Sequence, residues 1–178
     1  MKHLTRGGVL GRFVSHSYMR RGRPRAEDEF RRLAQAVSLG IRVPKPILYA
    51  VKGGMVYRCW IATKEVSSAI TLADLSTKDE DLARTATADA ATEIAKLITH
   101  SIYHIDLHPG NVIVDSAGRV YLMDFDKTRK FRGNINQLRD SYICRWRRAV
   151  IKHGLPEYLS EIMSLNLRRD FFEASLAE

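Results

Sequence analysis

The stretch His104-Ile105-Asp106-Leu107-His108-Pro109-Gly110-Asn111-Val112-Ile113-Val114, followed by Met123-Asp124-Phe125-Asp126, decides how the rest of this chain is read. It places an asparagine five positions after one aspartate and a second aspartate thirteen positions beyond that asparagine. Between the two blocks, Val112-Ile113-Val114 and Val120-Tyr121-Leu122-Met123 have the composition of short strands, and Asp115-Ser116-Ala117-Gly118 has that of a turn. The spacing leaves room for one short hairpin. Such a hairpin is a stiff spacer, so it would fix the separation of Asn111 and Asp124.

Outward from this block, the chain divides into two compositions. Toward the N-terminus, residues 7–14 look like a glycine-bearing turn running into a short strand, and Arg20-Arg21-Gly22-Arg23-Pro24-Arg25 is a basic loop. Pro24 opens a helix expected over residues 26–38, with Phe30, Leu33, Ala34 and Val37 on its apolar face. Glu27, Asp28 and Glu29 crowd its first turns, where the helix dipole favours acidic groups. Gly40 ends it, and Val43-Pro44-Lys45-Pro46 forces an extended exit. Strands are expected over residues 46–51 and 55–66, joined at Gly53-Gly54.

The remainder is mostly helical. A short helix is expected within residues 70–75 and a long one over 80–99, with Leu82, Ala86, Ala90, Ile94 and Leu97 on one face. An arginine-rich helix is expected over 136–152, then helices over 156–163 and 170–176. A helix beside strands, followed by a helical half with one hairpin, is an α+β arrangement with two lobes. The expected division is 1–66 and 67–178 within one domain of 178 residues.

Composition narrows the partners. Hydrophobic residues make up 45% of the chain, enough for a core. Cys59 and Cys144 have no metal or redox spacing and read as reduced thiols. No apolar run is long enough to span a bilayer, and the N-terminus lacks the apolar stretch of a signal peptide. The expectation is a cytoplasmic protein with room for contact with a membrane surface. The 29 Lys and Arg residues against 20 Asp and Glu give a net charge of +9, which suits an anionic partner. No nucleic-acid motif is present, and aromatic residues are not interleaved with the basic runs.

Read as H-x-D-L-x-x-x-N and D-F-x, the two opening blocks resemble the catalytic loop and metal loop of protein-kinase-like enzymes. Phosphoryl transfer depends on positioning and on neutralising charge on the moving group. Asp106 has the place of the carboxylate that orients the acceptor hydroxyl and takes its proton. Asn111 and Asp124 have the places of the oxygen ligands that hold Mg²⁺ against the phosphates of ATP. His104 reads as a structural histidine bracing the loop. His108 reads as an exposed loop residue or a substrate contact.

Within that superfamily, the chain is similar to the lipopolysaccharide core kinases that act on 3-deoxy-D-manno-octulosonic acid (Kdo). The similar segments are Lys2-His3-Leu4-Thr5-Arg6-Gly7-Gly8, then Glu29-Phe30-Arg31-Arg32-Leu33 with Gly40-Ile41-Arg42-Val43-Pro44-Lys45-Pro46. Asp124-Phe125-Asp126-Lys127 ends its triplet in Asp126, where protein kinases usually have glycine. The resemblance implies that Glu29 pairs with a basic residue gripping the nucleotide phosphates, and Lys2 falls at that position. It implies a hinge behind the adenine at Thr63, Glu65 and Val66. It implies an anionic acceptor, a sugar hydroxyl on Kdo attached to lipid A at the cytoplasmic face of the inner membrane. Arg145 and Arg148, in the basic run after the metal loop, are candidates to bind that acceptor or anionic lipid.

Two departures accompany the resemblance. The strands of the glycine-rich loop, which precede the phosphate-gripping lysine in such folds, have no sequence ahead of Lys2, so a truncated N-lobe is expected. No A-P-E sequence follows Asp126, which favours a small-molecule or glycolipid acceptor over a protein. Competing readings are a phosphotransferase of the aminoglycoside or choline kinase type, whose loop also reads D-L-x-P-x-N, and a non-catalytic binding module.

Overall fold

The computed structural model describes residues 16–19 and 22–175. Lys2, the glycine-bearing turn at residues 7–14, Arg20 and Arg21 lie outside the described residues.

Helix α1, Arg25–Ser38, starts behind Pro24 and carries Glu27 and Asp28 in its first turn. It ends in a glycine closure. Gly40 has φ 70°, its N–H donates to Val37 O at 3.1 Å, and the Ile41 N–H reaches back to Ala36 O at 3.0 Å. These paired bonds satisfy the last helical carbonyls at a position that favours glycine. The buried face differs from the expected one. Ala26, Leu33 and Ala36 are buried and Phe30 is half-buried, while Ala34 and Val37 face solvent. The reason is that α1 packs against two neighbours, a sheet and the turn at Phe125–Lys127. The second contact turns polar residues inward.

The sheet consists of β1 (His16–Met19), β2 (Pro46–Gly53) and β3 (Val56–Thr63), antiparallel in the order β1-β3-β2. Strand β3 stops at Thr63, short of the expected Val66. The β2–β3 turn depends on Gly53, whose φ is 119° and whose missing Cβ would lie 2.4 Å from Val56 O. Tyr57, Cys59 and Ile61 of β3 are buried, whereas β2 is exposed along nearly its whole length.

The helical part begins with β4 (Ile70–Thr71) and α2 (Leu72–Leu75), where Thr71 Oγ1 caps the helix by accepting from Asp74 N. Helix α3 spans Glu80–Thr99, as expected, and starts at Asp79, whose carboxylate accepts from Leu82 N. Its buried face carries Ala83, Ala86, Ala90, Ala91, Ile94, Leu97 and Ile98, with Leu82 at the margin.

Four short strands follow: β5 (Ile102–His104), β6 (Val112–Val114), β7 (Val120–Leu122) and β8 (Thr128–Lys130). Strand β6 pairs with β7 as the expected hairpin, and β5 pairs with β8 around it. The outer pair was not evident from sequence. It nests one hairpin inside another and holds the two intervening loops side by side.

Helix α4, Ile135–Lys152, begins with a capping box between Asn134 and Gln137. Helix α5, Tyr158–Ser175, is continuous where two helices were expected. Leu159, Met163 and Leu167 are all buried at helical spacing, and no glycine or proline interrupts them. One contiguous core joins both parts of the chain, from Ala26 on α1 to Leu167 on α5.

An ionic knot also fastens the segment after α1 to the helical part. Glu93 on α3 is fully buried. Its carboxylate accepts from Arg42 Nε, Arg42 N and Lys96 Nζ, each at 2.8 Å. Arg42 also pairs with Asp89, and its carbonyl accepts from Leu122 N at 2.9 Å.

Candidate active site

The two loops inside the nested strands carry the candidate chemistry. Loop 105–111 follows β5 and loop 123–127 follows β7. They are tied backbone to backbone, since Met123 N donates to Asn111 O at 2.8 Å.

His104 ends β5 and is fully buried. Its Nε2 lies 2.8 Å from Met123 O. A carbonyl can only accept, so Nε2 carries the proton. Nδ1 is then the bare nitrogen, and it has no hydrogen-bond partner among the described residues. The Phe125 ring packs edge-on at 5.0 Å. Burial holds the imidazole pKa below its usual value, outweighing Asp124 and Asp106. The unfolded chain therefore binds a proton that the folded one resists, and stability falls as pH drops through about 6.5. These contacts tie the end of β5 to the loop after β7.

Tyr142 on α4 clamps the same strand. Its hydroxyl accepts from His104 N at 2.7 Å and donates to Ile102 O at 2.9 Å. Burial pushes its pKa above the usual tyrosine range.

Asp106 is partly exposed, and Lys127 Nζ donates to its Oδ2 at 2.6 Å. That contact is the main reason its pKa lies below the usual carboxylate value, with Arg145 adding to the effect. The carboxylate is therefore ionised at neutral pH. Lys127 was not singled out from sequence as a site residue. Its position directly after the Asp124-Phe125-Asp126 triplet was the available signal.

Asn111 donates through its amide nitrogen to Asp106 O at 2.9 Å. That bond commits the nitrogen and leaves Oδ1 as the atom to meet a cation. Asp124 is exposed and adopts φ 62°, ψ 61°, a left-handed conformation that aspartate tolerates better than most residues. Strain of this kind concentrates at functional sites. Asn111 and Asp124 both line a cavity of about 390 Å³, within the range of small-ligand sites.

Glu29 lines the same cavity. Burial first, and the negative Asp124 second, raise its pKa, opposed by Arg25 and Arg32. Three carboxylate residues, Glu29, Asp124 and Asp126, and the Asn111 carboxamide thus line one space. This oxygen-rich, negative set fits Mg²⁺, which takes one or two protein ligands and completes its shell with phosphates and water. Among the described residues, no group of three or more His, Cys, Asp or Glu forms a denser metal site.

Asp126 lines the cavity but also bonds to α1. Its Oδ2 accepts from Arg25, and its carbonyl accepts from Arg32. These bonds moor loop 123–127 to α1. Arginine at those two helix positions was legible only as surface charge.

The remaining expected residues divide. Thr63 lines the cavity, with Cys59, Ile61, Pro44 and Leu33 as its apolar wall. Glu65 and Val66 are not among the lining residues. His108 shapes its own loop, because Nδ1 accepts from Gly110 N at 3.1 Å and the ring sits 6.0 Å from His153. Its pKa is lowered by burial and by His153. Arg145 reaches toward β5, whereas Arg148 is exposed and its Nε lies 3.4 Å from Cys144 O on its own helix. Lys2 lies outside the described residues.

Comparison with known proteins finds a matching family and curated relatives. The sequence model of the lipopolysaccharide kinase (Kdo/WaaP) family matches residues 1–151. A 3-deoxy-D-manno-octulosonic acid kinase of Vibrio parahaemolyticus serotype O3:K6 (strain RIMD 2210633) is 31% identical over 133 residues, covering 73% of this chain and 56% of that protein. One from Vibrio cholerae serotype O1 (strain ATCC 39315 / El Tor Inaba N16961) is 29% identical over 167 residues, 87% of this chain and 68% of the relative. One from Stenotrophomonas maltophilia (strain K279a) is 30% identical over 135 residues, 71% of this chain and 51% of the relative. The chain thus spans about half to two thirds of the length of these curated relatives. The matched family is protein-kinase-like, in keeping with the α+β architecture.

Proposed function

The chain belongs to the lipopolysaccharide kinase (Kdo/WaaP) family, and on that premise we propose that it transfers the γ-phosphoryl group of ATP to a hydroxyl of a Kdo sugar. The observation that carries this reading is the nested loop pair. It sets Asp106, with its Lys127 partner, beside Asn111 and Asp124 at the edge of a cavity of nucleotide-binding size.

Each residue has a defined task in that reaction. Asn111 Oδ1 and the Asp124 carboxylate would hold Mg²⁺, which would supply neutralisation of charge on the nucleotide phosphates. Asp106 orients the acceptor hydroxyl and takes its proton. As the new bond from acceptor oxygen to phosphorus forms, the bond from that phosphorus to the bridging oxygen breaks, and ADP leaves. Lys127 fixes the Asp106 carboxylate in one rotamer and keeps it ionised. Glu29 completes the nucleotide side by pairing with a basic residue, for which Lys2 is the candidate by its resemblance to the family's opening segment. Thr63 borders the adenine, with Glu65 and Val66 continuing as the hinge and the lobe boundary near residue 66. His108, Arg145 and Arg148 stand on the acceptor side.

The acceptor also sets the location. No helix among the described residues is long and apolar enough to cross a membrane. A lipid-linked Kdo acceptor places the chain in the cytoplasm, in peripheral contact with the inner face of the inner membrane through its basic surface.

The test is phosphate transfer from labelled ATP with Mg²⁺ across an acceptor panel: Kdo-capped lipid A in mixed micelles, an aminoglycoside and choline. Label in the Kdo-bearing lipid alone is the expected result. Label in the aminoglycoside or choline, with none in the Kdo lipid, would overturn the proposal.

A further inference from the structure

Tyr103 lies one residue before His104 and faces Arg129 across the β5–β8 pair. Its ring is fixed from two sides, by Phe131 at 6.0 Å and Tyr142 at 5.7 Å, both edge-on. Two cations rest on it. The Arg129 guanidinium carbon is 5.6 Å from the ring centroid and that of Arg145, arriving from α4, is 5.9 Å.

Neither arginine forms a salt bridge among the described residues. Arg145 Nε is buried and has no hydrogen-bond partner there either. An unpaired guanidinium donor out of water is costly, so such a group calls for an anion. Asp106 is close enough for Arg145 to act on its charge, but its Oδ2 is already held by Lys127. Guanidinium groups stacked on an aromatic ring keep their edge donors free for a planar oxyanion.

Position separates this cradle from the nucleotide. The cavity is lined by Asn111, Asp124 and Glu29, and not by Tyr103, Arg129 or Arg145. Asp106 links the two sides, since its carbonyl accepts from Asn111 and its carboxylate feels the charge of Arg145. A group bound at the arginines is on the acceptor side of the reacting bond.

We infer that Arg129 and Arg145, stacked on Tyr103, form the subsite for the carboxylate of the sugar-acid acceptor, holding it so that a hydroxyl of the same sugar meets Asp106. This rests on the Kdo kinase reading above and deepens it. The acceptor class is a sugar acid, whose carboxylate is ionised at neutral pH. A planar carboxylate matches the paired donors of a guanidinium, and this contact would make acceptor choice depend on the acid group.

The test compares the Kdo-bearing acceptor with its methyl ester, at equal lipid anchor, for the wild type, Arg129→Gln and Arg145→Gln. The ratio of the two kcat/KM values is the readout, because general damage to the enzyme lowers both alike. The wild type should prefer the acid by about 10–100-fold, the range of a charged hydrogen-bonded contact. In either variant that preference should fall toward unity. A preference that persists unchanged in the exposed-strand variant Arg129→Gln and in Arg145→Gln would overturn the assignment. So would a preference that follows removal of the lipid phosphates and ignores esterification, which would make the cradle a phosphate site. Absence of transfer to either acceptor by the wild type would instead defeat the Kdo kinase reading itself.

Discussion

The nested strands around the two loops and the β2–β3 hairpin are both small antiparallel units, yet they are held in opposite ways. Residues 102–130 are strapped at every level. Strand β5 pairs with β8, β6 with β7, Tyr142 bonds both Ile102 and His104, and His104 bonds Met123. Strand β2 is open, with Ile47, Leu48 and Val51 exposed. Rigidity is thus concentrated where Asp106, Asn111 and Asp124 must keep fixed separations. The proposed phosphoryl transfer would gain most from positioning, and it is in this region that the fold is most tightly held.

Substitutions can break or sharpen that contrast. The largest stability effect is expected at the joint between the two regions. Glu93→Ala removes the acceptor of Arg42 N and of two charged donors and should cost about 2–4 kcal/mol in denaturant unfolding. A cost under about 1 kcal/mol would mean that the knot is not what joins them. Tyr142→Phe removes the clamp on β5 and strands a buried N–H and C=O, for about 2 kcal/mol of stability. It should also lower kcat, because the loop after β5 loosens. A kcat equal to wild type would separate the clamp from catalysis.

The next effect is one of pH. Lys127 holds the Asp106 pKa below the ordinary carboxylate range. A depressed pKa keeps the base active as pH falls, so the acid limb of the wild-type kcat/KM profile should lie low. Lys127→Met should move that limb to higher pH. An unmoved limb would show that another group sets it. The smallest effect is expected on β2. Leu48→Ser, at a site 49% exposed, should change stability by no more than about 0.5 kcal/mol. A loss of about 2 kcal/mol would mean that this face is covered.

What the sequence made legible follows the same division. Asp106, Asn111 and Asp124 lie within a short span, and local turn chemistry sufficed to expect the β6–β7 hairpin between them. Helix α3 was readable because a long amphipathic run carries its own start signal at Asp79. The β5–β8 pair was not, because three-residue strands 24 or more positions apart leave no periodic trace. The α1 face was misread because one side of the helix packs on the loop at Asp126, which Arg25 and Arg32 bond. The charge partners of the site, Lys127, Arg25 and Arg32, are common surface residue types, and only three-dimensional proximity distinguishes them. The gap expected in α5 was a wrong reading of a polar stretch that one buried stripe carries through.

The most direct test of the central claim is transfer of labelled phosphate from ATP to Kdo-capped lipid A by the wild type and by Asp106→Asn, with both proteins shown to be folded. The account predicts transfer by the wild type and a fall of about 10²–10⁴-fold in kcat in the variant. Transfer by Asp106→Asn at close to the wild-type rate would contradict it.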